Sequence, residues 1–577
     1  MKRLKILKYG LLVAVGIICL RLFFIQIIEH SKWVELAQEQ QTMQHTIVAE
    51  RGTIYMMDGE EPVEIVMNEP VWTILVDPML ADVEETERVV DQHAAAQRVA
   101  EWKDVFADRE RRYYIVARGV KREAAEKIKA EGLTGVWFQE GVRRVYPEGQ
   151  MASGLLGFVN ADGVGQYGVE GALNEDLAGK NGVLKTVKDV NNIPLTIGDD
   201  NVRVPAENGK NIVLSIDRNI QRRVEIALQH GLERAGATHA SGLVMDPRTG
   251  KIWAMANLPT YDAQNYALVE DATVFQNGAV EDAYEPASVC KTFAFAAAVD
   301  SGAMTPDTTY INTGSTEVDG WPIQNAHQGH EGSITMQTAL TWSLNTGSIQ
   351  ALRLMGGSTT EITYQGKEVL FDYYYNHFGL GQYTGIELFE SSGLIVPPDS
   401  TGLDASNSRY ANMTFGQGLN VTMMQVAAGF SALVNGGEYY TPTIIEGEMV
   451  NGKLVSKPMR EPVRQVVSVG TSATMRDMIW TARQLYKNFG YDPAGYKIGG
   501  KTGTSQAVKN GEYTFDETLA NYIGFGGSAD DEVPEYVIMV KIWREGTQLD
   551  GERHAMPIFT EISNYMIDYL KIKPSGV

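Results

Sequence analysis

Lys2, Arg3, Lys5 and Lys8 stand ahead of an almost unbroken apolar run, residues 9–28. At 1.5 Å per residue such a run is roughly 30 Å long as a helix, enough to cross a hydrocarbon core. This one feature divides the chain into compartments. The basic flank, residues 1–8, is expected to stay in the cytoplasm, with residues 9–28 as a single transmembrane anchor. The run ends in bulky Phe23-Phe24-Ile25-Gln26-Ile27-Ile28 rather than in small residues, which argues against a cleaved signal peptide. Arg21 costs about 2.5–3.5 kcal/mol at a membrane centre, but it lies near the outer end. It either snorkels or meets a polar group on another membrane helix. No second run of this length follows, so everything from about residue 29 is expected outside the membrane, on the extracytoplasmic side.

That remainder is large. With 577 residues, two or three domains are expected. Hydrophobic residues at 44% and charged residues at 21% place it among globular rather than disordered chains. The net charge of −22 opposes nucleic-acid binding, which needs a basic face to displace phosphate counterions. Two cysteines, Cys19 in the anchor and Cys290, leave no disulfide framework.

Periodicity outlines an α+β architecture. Residues 29–50 read as a polar helical continuation. Strands follow at 51–54, 71–76 and 113–117, with helices over 84–107 and 121–132. The glycine-rich stretch 162–182 lacks the Lys-Ser/Thr pair of a phosphate loop and reads as a turn-rich connector. Composition shifts near residues 204–209. A strand over 211–216 then leads through Asp217, a helix N-cap, into an amphipathic helix. Strands at 240–245 and 251–256 are joined by the turn Asp246-Pro247-Arg248-Thr249-Gly250. The closing part carries strands at 497–504, 519–526 and 536–542 and a helix at 558–570.

Three short segments in fixed order carry chemistry. In Ser288-Val289-Cys290-Lys291 the preceding Pro286 suits the first turn of a helix. Ser288 and Lys291 then share a face, with roots about 5–6 Å apart. A serine hydroxyl is a poor nucleophile until a base takes its proton, and a lysine serves only if its pKa is depressed. Ser343-Leu344-Asn345 offers a second hydroxyl for proton relay and an amide to orient a lysine and a carbonyl. Lys501-Thr502-Gly503-Thr504 follows Gly499-Gly500 and supplies a cation, two hydroxyls and room for close backbone approach. Cys290 reads as a small packing residue facing away from Lys291, with a reactive thiol as the alternative. His327-Gln328-Gly329-His330-Glu331 does not have zinc-ligand spacing and reads as a loop, so no metal or cofactor is expected.

The ordered set resembles the serine β-lactamase and penicillin-binding protein motifs. The chain resembles a class B penicillin-binding protein of the division branch. Arg51-Gly52-Thr53-Ile54, Arg144-Val145-Tyr146-Pro147 and Gly165-Gln166-Tyr167-Gly168-Val169-Glu170 resemble the pedestal signatures of that family. Phe378-Gly379-Leu380-Gly381, Phe415-Gly416-Gln417-Gly418 and Asn435-Gly436-Gly437 resemble its transpeptidase domain, and Tyr284-Glu285-Pro286 its division branch. The resemblance implies an elongated α+β pedestal or dimerisation-type domain at 29–205 and a serine β-lactamase-like transpeptidase domain at 206–577. It implies Ser288 as acylated nucleophile, Lys291 as base, Ser343 as proton shuttle, and Asn345 holding the donor amide. Lys501, Thr502, Gly503 and Thr504 then bind the terminal carboxylate, and the N–H groups of Ser288 and Thr504 form the oxyanion hole. Implied partners are peptidoglycan stem peptides on the lipid-linked precursor polymer, β-lactams as covalent inhibitors, and a membrane glycosyltransferase with divisome proteins. Two departures stand out: Tyr55-Met56-Met57-Asp58-Gly59 replaces an Asp-Arg-Asn-Gly-like stretch, and Ala287 replaces a common glycine.

Rival readings are an elongation-type transpeptidase, a hydrolase (D,D-carboxypeptidase or β-lactamase-like), and a β-lactam receptor or scaffold without activity. A hydrolase needs a dedicated base for water, and none is evident beyond the three motifs. A receptor would want several membrane spans.

Overall fold

The computed structural model describes residues 2–33, 42–107, 111–187, 202–486, 492–509 and 512–576. The chain forms two compact units, one of residues 1–52 with 175–210, the other of residues 53–174 with 211–577.

In the first unit, Lys2–Phe23 is an α-helix continued by a π-helical turn, Phe24–Ile28. The combined helix, Lys2–Ile28, is long and apolar enough to span a membrane, and none of its residues is buried by protein. Strand Thr42–Ile47 pairs antiparallel with Gly182–Val187, which in turn pairs with Val202–Val204. The helical continuation expected over 29–50 therefore fails at its end: residues 42–47 are strand, because a partner some 140 positions away supplies their backbone bonds. Residues 34–41 of that expectation lie outside the described residues.

The second unit carries two large sheets. A seven-stranded one runs Lys453–Ser456, Ile445–Val450, Ile212–Asp217, Ile54–Asp58, Glu61–Val76, Tyr114–Lys121, with Val136–Val145 also on Glu61–Val76. Strands from either side of residue 205 thus pair directly, Ile212–Asp217 lying parallel to Ile54–Asp58. The helices Val83–Ala94 and Arg122–Ala130 cover one end, burying Val89, Val90, Ala125 and Ile128 against Ile74, Val116 and Val120. The helix expected over 84–107 breaks after Ala94, where Arg98 bridges to Ala117 of the neighbouring strand. The glycine-rich connector folds partly into two short helical turns, Gly168–Ala172 and Asn174–Ala178.

The other sheet is five-stranded and antiparallel: Ile252–Leu258, His239–Met245, Tyr536–Trp543, Glu512–Gly526, Gly499–Lys509. Asp217 caps the amphipathic helix Arg218–Ala235 as its sequence predicts, accepting from the N–H groups of Asn219 and Ile220. That helix and the C-terminal Met556–Tyr569 bury Val224, Leu228, Ile558 and Phe559 against one face of the sheet. Against the other side packs the helix Met423–Val434, with Lys291–Asp300 beside it. Every residue of Met423–Val434 is buried, so it is apolar on all sides, and a Thr422–Gln425 capping box starts it. Among the described residues the edge strand Gly499–Lys509 has one sheet neighbour, which leaves its other side to line a site.

Candidate active site

The site is assembled from a turn, a corner and a strand edge. The turn is Ala287–Cys290, one 3₁₀ turn that feeds directly into the helix Lys291–Asp300. Ser288 is half-buried on it, while Val289 and Cys290 are buried. Ala287 takes φ +52°, a left-handed conformation that favours glycine. It is held there by its N–H donating to the Gly416 carbonyl and by close packing of the Gly416 backbone, where a Cβ would lie 2.1 Å from the Ala287 carbonyl oxygen.

The corner is Ser343, between the helices Met336–Thr341 and Asn345–Met355. It too has a positive φ, +55°, which turns the chain so that its carbonyl and hydroxyl face one centre. The Lys291 ammonium nitrogen donates to the Ser343 carbonyl at 2.5 Å, to Asn345 Oδ1 at 2.8 Å and to Ser343 Oγ at 3.2 Å. The Asn345 amide is itself fixed, its Nδ2 donating to the Gln324 carbonyl at 2.8 Å.

From the strand edge, Lys501 Nζ donates to Ser343 Oγ at 2.8 Å and to the Thr502 carbonyl at 3.1 Å. The strand comes this close because Gly503 has no side chain: a Cβ there would lie 2.3 Å from Asn521 Oδ1 and 2.7 Å from the Pro286 carbonyl. Asn521 Nδ2 donates to that same Pro286 carbonyl. Thr504 is exposed, and its hydroxyl accepts from the Gly551 N–H at 3.1 Å. Thr502 is half-buried beside Lys501.

Burial sets the electrostatics. Lys291 is 1% and Lys501 4% exposed. Desolvation first, and the charge of Lys501 second, hold Lys291 well below the ordinary lysine range. Lys501 is lowered to about 7 by desolvation. The ring of Phe415, its centroid 6.0 Å from Lys291 Nζ, is part of the apolar wall responsible. A neutral amine keeps two N–H groups, and the Ser343 carbonyl and Asn345 Oδ1 are acceptors without protons of their own. They can hold both, leaving the lone pair of Lys291 for a hydroxyl proton. Among the described residues the Ser288 hydroxyl has no protein hydrogen-bond partner.

The structure thus brings together all three segments singled out in the sequence. Cys290 is buried in the core and burial pushes its thiol far up, so it packs and does not react. Among the described residues no cluster of His, Cys, Asp and Glu is arranged to hold a metal. Residues 327–331 form a loop, as their spacing predicts. Sequence reading missed Asn521 and Gly551, which support the lysine-bearing strand, and the role of Gly416 against Ala287. Of these only Gly416 lay in a stretch the sequence had singled out, Phe415-Gly416-Gln417-Gly418, and there only as a family resemblance.

The family described as penicillin binding protein transpeptidase domain matches residues 240–564, and the penicillin-binding protein dimerisation domain matches residues 46–214. The chain is 30% identical over 579 aligned residues to stage V sporulation protein D of Bacillus subtilis, covering 99% of this chain and 86% of that protein. It is 26% identical to the probable peptidoglycan D,D-transpeptidase PenA of Neisseria meningitidis serogroup A, covering 96% and 90% of the two chains. Penicillin-binding protein 3 of Mycobacterium tuberculosis, solved with aztreonam, shares the fold at TM-score 0.65 and 24% identity over 92% of this chain and 98% of that one. With a transpeptidase-domain match across more than half its length, a dimerisation domain ahead of it and the lysine-serine cluster described above, the chain belongs to the class B penicillin-binding proteins.

Proposed function

We propose that the protein is a membrane-anchored peptidoglycan D,D-transpeptidase working at the septum, with Ser288 as nucleophile and residues 206–577 as its catalytic domain on a pedestal of residues 29–205. The observation that carries this reading is the convergence of two buried lysines on Ser343, with Ser288 one helical turn from the first. Lys291 takes the hydroxyl proton, and Ser288 Oγ attacks the carbonyl of the penultimate D-alanine of a donor stem. The oxyanion falls to the N–H groups of Ser288 and Thr504, a donor pair of which each member is worth about 2.7–4 kcal/mol of barrier. The proton passes from Lys291 through Ser343 to the departing D-alanine nitrogen. Lys501, while charged, holds the terminal carboxylate with Thr502 and Thr504, and Gly503 lets the strand approach. An acceptor amine then takes the acyl group from Ser288.

β-Lactams, whose carboxylate and strained amide mimic the donor terminus, acylate the same oxygen. The aztreonam complex of the Mycobacterium relative supports this reading. Septal work is favoured by Tyr284-Glu285-Pro286. The anchor Lys2–Ile28 suits contact with a membrane glycosyltransferase and divisome proteins, with the catalytic domain on the extracytoplasmic side.

Labelling whole cells with a fluorescent penicillin, followed by peptide mapping, tests the reading. The adduct is expected on Ser288, the label at division sites, and both are expected to vanish in Ser288→Ala. An adduct elsewhere would sink the assignment. With purified protein and stem-peptide donor, cross-linked dimer is the expected product, and trimmed stem alone would make it a carboxypeptidase.

A further inference from the structure

In the second half of the proposed reaction an acceptor amine must give up a proton as it attacks the acyl carbon on Ser288. The strand Trp321–Gln324 and the loop that follows it, residues 325–331, adjoin the second motif. The Gln324 carbonyl accepts from Asn345, and the Asn325 side chain accepts from the Thr346 N–H at 3.0 Å. Further on, the His330 ring lies tilted against Trp342, 4.0 Å between centroids, and its carbonyl accepts from Asn312 at 2.6 Å. His327 lies between these anchors. Two residues of chain span at most about 7 Å, so it stays close to Asn325 and hence to the Asn345 corner. It is exposed to solvent, as a group meeting an incoming substrate must be.

We propose that His327 is the acceptor-side base, taking the proton that the acceptor nitrogen gives up as it attacks the acyl carbon on Ser288. This rests on the acyl-enzyme reading above. The free amine forms the C–N bond and passes one proton to the imidazole. The C–Oγ bond of Ser288 breaks, and its oxygen receives a proton relayed from Lys501 through Ser343 and Lys291. His327 then returns its proton to solvent, from which Lys501 recharges, so protons balance over the cycle.

The surroundings suit the role. Partial desolvation first, then the charges of Lys501, Lys291 and His330, hold His327 below its usual range and thus neutral at pH 7. Glu331, the carboxylate of the same loop, accepts from the Gly329 N–H rather than pairing with this ring.

The test uses the full-length protein in detergent, a thioester donor of the acyl-D-alanine type, and glycinamide as acceptor. His327→Gln and His327→Ala are expected to keep their rate of penicillin adduct formation, which also reports folding. Transfer to glycinamide is expected to fall at least about tenfold relative to hydrolysis. Below the ordinary histidine value near 6.5, wild-type transfer should fall with acid more steeply than that of His327→Gln, because only the wild type loses a base. Unchanged transfer in both variants would overturn the proposal and leave the proton with Ser343 and Lys501. So would a parallel loss of adduct formation and transfer with no change in the acid limb, which would make the ring a loop support. Absence of any penicillin adduct in the wild type would instead sink the underlying reading of the site.

Discussion

At the scale of single residues, burial decides what each polar group can do. Lys501 keeps its charge below about 7 and loses it as pH rises through that value. Its cation is the proposed anchor for a carboxylate, so capture of an anionic penicillin should weaken as pH rises through about 7. Second-order acylation rates between pH 6 and 9 measure this, and a rate that keeps rising through that range would count against Lys501 as the anchor. Ala287 shows a different kind of constraint. Its left-handed φ of +52° costs an alanine about 1–2 kcal/mol that glycine avoids. Part of that gain is lost to the greater freedom of glycine in the unfolded chain. Ala287→Gly is therefore expected to raise stability by about 1 kcal/mol, read from the urea midpoint, with the penicillin adduct retained.

Among elements, the decisive contact is between the edge strand Gly499–Lys509 and the turn Ala287–Cys290. Lys501 reaches Ser343 only while Gly503 lies flat against Pro286 and Asn521. Gly551 packs on the same residue, where a Cβ would lie 2.7 Å from the Gly503 carbonyl oxygen. Gly503→Ala should push the strand outward and cost about 1–3 kcal/mol as an overpacking change. The larger effect is expected on acylation, through displacement of Lys501 and the Thr504 N–H, with a loss of at least about a hundredfold if that N–H is the proposed oxyanion donor. Stopped-flow acylation beside a thermal melt separates the two effects. An unaltered acylation rate would mean the strand does not need this approach.

In the molecule as a whole, strand pairing ties residues ahead of position 205 to residues beyond it, and buried charge holds the pedestal signatures together. The Arg144 and Glu170 side chains, from two of those signatures, meet at 2.6 Å with 4% and 0% exposure, and Arg144 also donates to Asn68 at 2.9 Å. Removing one member of a buried pair leaves the other charged and uncompensated, at about 3–5 kcal/mol. Glu170→Gln should lower the unfolding free energy by that order. The penicillin-adduct rate of the remaining folded fraction should be unchanged, since neither side chain touches the lysine cluster. A melt identical to wild type would show that the pair is offset locally.

Much of this architecture was legible from residue order. The anchor, the Asp217 cap, the hairpin around Asp246 to Gly250 and the C-terminal helix follow from periodicity and turn chemistry, which act over a few residues. The three motifs declared the type of reaction, because a hydroxyl, two lysines and an amide in that order suit acyl transfer. Residues 42–47 misled, since their strand depends on a partner remote in the chain. Asn521, Gly551 and the approach of Gly416 to Ala287 were equally hidden, because a backbone contact between distant segments leaves no local pattern. The sequence by itself determined which groups are present and in what order. Tertiary structure alone decided that both lysines lose their water and meet at one hydroxyl, because desolvation depends on what packs around an amine and not on its neighbours in the chain.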